Sequence, residues 1–129
     1  MTVPFVCVLI AFLLIYAAKV PVLIAQTRTP GGLDNRNPRE QQAKLEGWGK
    51  RALGAHLNAI EAFPPFAAGV FVAHLGGAPE RTTAPLAIAF IVFRALYEAL
   101  YLADLASARS VVWAVGLTFT AALYVSPWF

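Results

Sequence analysis

Two apolar stretches of this sequence carry polar side chains at spacings that could do chemistry. The first runs from Trp48 to Phe66 and reads WGKRALGAHLNAIEAFPPF. At about 100° per residue, Arg51, Gly54, Ala55, Asn58, Glu61 and Ala62 share an arc of roughly 120°. A carboxylate in such a setting costs about 2.5 to 3.5 kcal/mol in a lipid core and is tolerated where it faces protein or a wet cavity. Glu61 therefore needs a partner. In the second stretch Arg94, Tyr97, Glu98, Tyr101 and Asp104 occupy a similar arc of about 120°. If the two segments are antiparallel helices, counting residues sets Glu61 and Arg94 at matching depth, which predicts a structural ion pair between them. Nearer one mouth the same count gathers Arg51, Asn58, Tyr101 and Asp104 with Arg109 and Ser110. Cations, an amide, a phenol and a helix N-terminus suit an anionic polar ligand. The same groups could equally serve as interhelical polar contacts. No His, Cys, Asp and Glu set has metal-ligand spacing, and no glycine motif for cradling phosphate is present.

The elements that must position these groups are set by composition. Of 129 residues, 59% are hydrophobic and 13% charged, and the mean hydropathy is +0.64. That is too apolar for one soluble domain of this size and predicts a membrane protein. The net charge of +3 is uneven: Arg28, Arg36, Arg39, Lys44, Lys50 and Arg51 all fall between the first two apolar runs. The basic balance reads as membrane topology, with no DNA-reading helix and no nucleic-acid partner. Cys7 is the single cysteine, so neither an intrachain disulfide nor a paired-cysteine zinc site is possible.

The predicted class is all-α, an integral membrane four-helix domain over residues 1–129 with up-down topology. The first helix spans 3–26, long enough to cross a hydrocarbon core of about 30 Å. It lacks the charged start and short apolar core of a signal peptide and reads as a retained anchor. Residues 27–47 form a loop rich in turn formers, with a short helix starting at Pro38 after Asn37 and ahead of Glu40. The second span covers 48–74 and is expected to kink at Pro64 and Pro65. His56 points away from its polar seam, which predicts an exposed or interface histidine. The third span covers 83–105 and the fourth 109–128, with Trp128 at an interface. Positive charge places loops one and three in the cytoplasm and both termini on the opposite side.

These residues resemble the membrane-associated proteins in eicosanoid and glutathione metabolism, the MAPEG family, which includes microsomal glutathione transferases. The resemblance covers Gln26 to Trp113 and rests on Arg51, Ala55-His56, Asn58 and Glu61 with Pro65-Phe66, on Arg94 and Tyr101, and on Arg109-Ser110. It implies a homotrimer in membrane lipid, with glutathione as cofactor held between subunits near the cytoplasmic side. By the resemblance Arg28, Arg51, Asn58, Glu61, Tyr97 and Tyr101 would bind glutathione, Arg94 would be the scaffold partner of Glu61, and Arg109 with Ser110 would be catalytic by stabilising the thiolate, the nucleophilic form of a thiol. Gly54 and Leu57 stand where better-known members carry arginines, which implies weaker anchoring of ligand carboxylates. The activity implied is a glutathione-dependent transferase or peroxidase acting on a hydrophobic small-molecule substrate. The alternative is a non-catalytic protein of the same fold that binds a lipid or other amphiphile. A small drug exporter would need a carboxylate in the first helix, which has none.

Overall fold

The computed structural model describes residues Met1–Phe129 and is helical throughout. Its elements are α1 (Val3–Thr27), α2 (Pro38–Ala43), α3 (Gly47–Leu75), α4 (Glu80–Leu102), α5 (Ala106–Val125) and a closing 3-10 turn (Ser126–Trp128). Prolines sit where a helix start tolerates them: Pro4 in the first turn of α1 and Pro38 in that of α2. There the missing N–H is one of the donors a helix leaves unpaired anyway. Pro64 and Pro65 lie inside α3, which continues through them from Gly47 to Leu75.

The third and fourth spans begin earlier than the turn signals imply. α4 starts at Glu80, whose carboxylate favours the positive end of the helix and accepts a hydrogen bond from the Val3 amide at 2.8 Å. That bond ties the starts of α1 and α4 together at one end of the molecule. α4 closes at Leu102, and Asp104 then takes a left-handed conformation with φ of 63°. The Leu105 amide reaches back to the Leu100 carbonyl at 3.0 Å, the hydrogen bond expected of a helix closed by a left-handed residue. Aspartate tolerates that conformation better than most side chains. α5 begins at Ala106 and not at Arg109, because Ala106, Ser107 and Ala108 continue as helix instead of forming a turn.

Neighbours in sequence run antiparallel. Phe5 meets Phe71, Phe12 meets Phe63 and Ala25 faces Gly49 along α1 and α3. Phe66 stacks on Phe90 with ring centroids 3.8 Å apart between α3 and α4, and Phe93 meets Phe119 edge-on between α4 and α5. α3 and α4 each touch α1 and α5, which hardly meet one another. The fully buried side chains Phe66, Val70, Ala87 and Leu123 join Cys7 and Ala11 in one apolar core.

The loop after α1 is locked by glutamines. Gln26, 1% exposed, donates to the Pro38 carbonyl at 3.2 Å and to Gln41 Oε1 at 3.0 Å, and accepts from Gln42 Nε2 at 3.1 Å. Gln41 Nε2 in turn donates to Thr29 Oγ1 at 2.7 Å and to the Gly32 carbonyl at 2.8 Å. A buried amide must spend its donors and acceptors in this way, and the result fixes α2 beneath the end of α1. On the outer face Lys44 pairs with Glu40 at 2.7 Å, and that hydrogen bond raises its pKa above the ordinary lysine value.

Three helices are long and apolar enough to cross a membrane: Val3–Thr27, Glu80–Leu102 and Ala106–Trp128. Large apolar side chains such as Leu13, Phe71, Val92, Val111 and Leu117 lie exposed along the long helices. Such a surface fits lipid and not water. α3, the remaining long helix, carries Arg51, His56, Asn58 and Glu61.

Candidate polar site between α3, α4 and α5

Two polar levels are built on the facing sides of α3, α4 and α5. The first lies where α4 ends and α5 begins. Arg109 lays its guanidinium over the Tyr101 ring, 4.1 Å from the centroid, an attraction of about 0.5 to 2 kcal/mol depending on desolvation. Arg51 of α3 pairs with Asp104 at 3.5 Å, an exposed carboxylate that the left-handed turn presents. Tyr101 packs directly on Gly54: a Cβ there would collide with the phenol hydroxyl and lie 2.7 Å from Cζ. Any side chain at this position would require the Tyr101 ring to move, so the space where related proteins carry an arginine is filled by Tyr101.

The second level lies about a turn and a half deeper. Asn58, Glu61 and Pro65 of α3, Phe90 and Arg94 of α4, and Trp113 and Thr120 of α5 line a cleft of about 230 Å³. Asn58 Nδ2 donates to Glu61 Oε2 at 3.3 Å, while Asn58 Oδ1 is buried with no hydrogen-bond partner in the protein. Arg51 Nε is buried and unpartnered in the same way. Buried polar atoms without partners are uncommon and costly. An unpaired amide oxygen beside a carboxylate is suited to receive N–H donors, whereas an unpaired guanidinium N–H is suited to an anion.

Arg94 and Tyr97 join the levels. The Arg94 guanidinium stands 4.4 Å over the Tyr97 ring, and Tyr97 meets Tyr101 edge-on at 5.7 Å. Arg94, Tyr97, Tyr101 and Arg109 thus form a line from the deep cleft to the head of α5.

The predicted Glu61–Arg94 ion pair does not form. Arg94 pairs with Glu98, one turn along its own helix, at 3.4 Å, with side chains 8% and 17% exposed. Glu61 is exposed and has no cationic partner. Depth counting matched the two residues across helices but could not see that Glu98, four residues away, competes from a more buried position. Glu98 is the site residue that sequence reasoning left without a role, although the Arg-x-x-x-Glu spacing was there to be read.

Three further expectations meet a different arrangement. Ser110 is a turn inside α5 and its hydroxyl donates to the Ala106 carbonyl at 3.0 Å, so it does not open the helix. Arg28 caps the end of α1, is exposed, and makes no ion pair with either polar level. His56 is buried at 5% exposure, with Nδ1 3.0 Å from the Ile15 carbonyl oxygen of α1. It faces away from the cleft, but onto a neighbouring helix and not outward. Whether it met solvent, lipid or another helix depended on where α1 packs.

The sequence model of the MAPEG family matches residues 3–129, essentially the whole chain. No curated protein and no solved structure matches it.

Proposed function

The chain belongs to the MAPEG family, and on that premise we propose that it is a glutathione-dependent membrane transferase or peroxidase whose ligand lies along the line from Arg109 to Glu61. Membership supports a role in glutathione or lipid metabolism in general. The observation that carries the finer reading is the pair of complementary needs at successive levels of α3, α4 and α5: cations with donors to spare at the Arg51–Arg109 level, and a carboxylate without a cation and an unpaired amide oxygen at the Asn58–Glu61 level. Glutathione has carboxylates, a thiol and an ammonium, which those two levels complement.

In this reading Arg51 takes a ligand carboxylate, Glu61 and Asn58 take the ammonium, and Tyr97 and Tyr101 form the wall between them. Arg109 holds the thiol as thiolate, since a guanidinium beside a sulfur favours the charged form. Ser110 contributes at most after its hydroxyl turns from the Ala106 carbonyl. The apolar walls of the deep cleft, Phe90, Trp113 and Pro65, receive a lipophilic electrophile arriving through the lipid.

The same reading takes the four long helices as a transmembrane four-helix bundle and the subunit as one third of a homotrimer. An exposed Glu61 in the middle of a spanning helix would cost about 2.5 to 3.5 kcal/mol against lipid, which a neighbouring copy removes. Arg28, exposed at the end of α1, is positioned to reach a neighbour's site. The end bearing Arg28 to Arg51 and Arg109 faces the cytoplasm, since the other end offers only Arg81.

The test is direct. Protein in lipid nanodiscs with glutathione is expected to show thiolate absorbance and to conjugate a chlorinated nitrobenzene. Absence of binding at millimolar glutathione rejects the reading. A second reading, a non-catalytic protein holding an amphiphile, is favoured by the loss of cation space at Gly54 to Tyr101; it predicts lipid retention that depends on Arg109 and no turnover.

A further inference from the structure

Arg94 stands between two carboxylates. On one side it lines the deep cleft together with Glu61 and Asn58. On the other it lines a small cavity between α1, α3 and α4 together with Glu98, Ala11, Leu14 and Ala59. Its ion pair and its cation–π contact both lie along its own helix: Nη2 reaches Glu98 Oε1 at 3.4 Å and the guanidinium covers Tyr97. Neither engages Glu61 across the cleft, and Glu61 is left with only the Asn58 amide.

We propose that Glu98 is a positioning residue that holds Arg94 off Glu61 and so keeps the Glu61 carboxylate available to a cationic ligand group, a primary ammonium. The inference rests on the reading of the site given above for the identity of that ammonium, but the hold of Glu98 on Arg94 can be tested without any ligand. The Arg94 and Glu98 side chains are 8% and 17% exposed and lie 3.4 Å apart, a dry setting in which opposite charges attract strongly, whereas Glu61 is exposed at the rim of the open cleft. The Arg94–Glu98 contact is a single long one and not a two-pronged clamp, and arginine preceding glutamate by four residues is the weaker order on a helix. Burial is therefore what maintains the pairing. Remove the Glu98 charge and Arg94 has one carboxylate left on its cleft side, which it neutralises at the expense of an incoming ammonium.

The first measurement uses dicyclohexylcarbodiimide, an apolar reagent that modifies membrane-embedded carboxyl groups lacking a cation, with labelled positions read by mass spectrometry on the full-length protein in nanodiscs. The wild type is expected to label at Glu61 and not at Glu98. Glu98→Gln should reduce Glu61 labelling about ten-fold, and Glu98→Gln with Arg94→Gln should restore it. If Glu98→Gln does not assemble, Arg94→Gln alone decides the matter: it leaves Glu61 labelling at the wild-type rate under this proposal and raises it many-fold if Arg94 already pairs with Glu61. Unchanged or faster Glu61 labelling in Glu98→Gln overturns the proposal.

The second measurement is equilibrium binding of glutathione and of its analogue lacking the α-amino group. Glu98→Gln should weaken glutathione about ten-fold, within the usual range of coupling between sites, and leave the deaminated analogue unchanged. Equal weakening of both marks Glu98 as merely structural and overturns the proposal. If the labelling pattern holds while the wild type binds no glutathione, the assignment of the ligand fails and the hold of Glu98 on Arg94 stands.

Discussion

His56 and Asn58 are two residues apart on α3, yet they face opposite regions of the molecule, the α1–α3 seam and the cleft toward α4 and α5. In the seam the buried His56 has its partner in the Ile15 carbonyl, and about two turns along Ala25 lies close enough to Gly49 that a Cβ there would sit 2.9 Å away. In the cleft the needs are left open: Asn58 Oδ1 has no partner and Glu61 no cation. A buried polar group that the protein satisfies belongs to scaffold, and one that it leaves unsatisfied points to something that arrives later. In the proposed reading one helix thus presents an assembly face and a binding face.

The comparison can be broken in four ways, the largest effect first. Phe66 lies fully buried and stacked on Phe90 beneath both regions. Phe66→Ala is expected to cost about 3 to 5 kcal/mol, read as a large drop in melting temperature in detergent with loss of all binding. Arg109→Ala acts on the cleft alone. It should lower turnover about 10²- to 10³-fold, the usual loss on removing one group that stabilises developing charge, with melting temperature unchanged. A parallel loss of melting temperature would make Arg109 a structural residue.

The two smaller effects have opposite signs. His56→Leu removes the bond to α1, and its cost is about 1 kcal/mol, seen in thermal unfolding with glutathione affinity unchanged. Asn58→Leu removes an unsatisfied acceptor, so stability should hold or rise slightly, while affinity for glutathione falls about ten-fold through loss of a charge-assisted contact. If both substitutions destabilised equally, the division of α3 into two faces would be lost.

The helical class and the long apolar segments were legible because periodicity and length survive any tertiary arrangement. The polar stripe of α4 was legible for the same reason: a 3.6-residue repeat puts Arg94, Tyr97 and Tyr101 on one side. Partner choice was not. A helical wheel states which way Arg94 faces but not whether Glu61 across the groove or Glu98 along the helix is drier, and dryness decides the pairing. For His56 the wheel gave the direction away from the cleft, but the choice between an exposed and an interface position depended on where α1 lies. The start of α5 was set too late because Ala106 to Ala108 were read as a turn, although alanine is the strongest helix former. The Gln26, Gln41 and Gln42 network had no local signal, since its bonds join α1 to α2 across the loop between them.

A structure of the assembled protein in lipid with glutathione added tests the central claim most directly. The account predicts ligand density along the face running from Arg109 past Tyr101 and Tyr97 to Asn58, with the ammonium at Glu61 and Arg94 still on Glu98. Density confined to the α1–α3 seam, or an empty cleft with Arg94 turned onto Glu61, would contradict it.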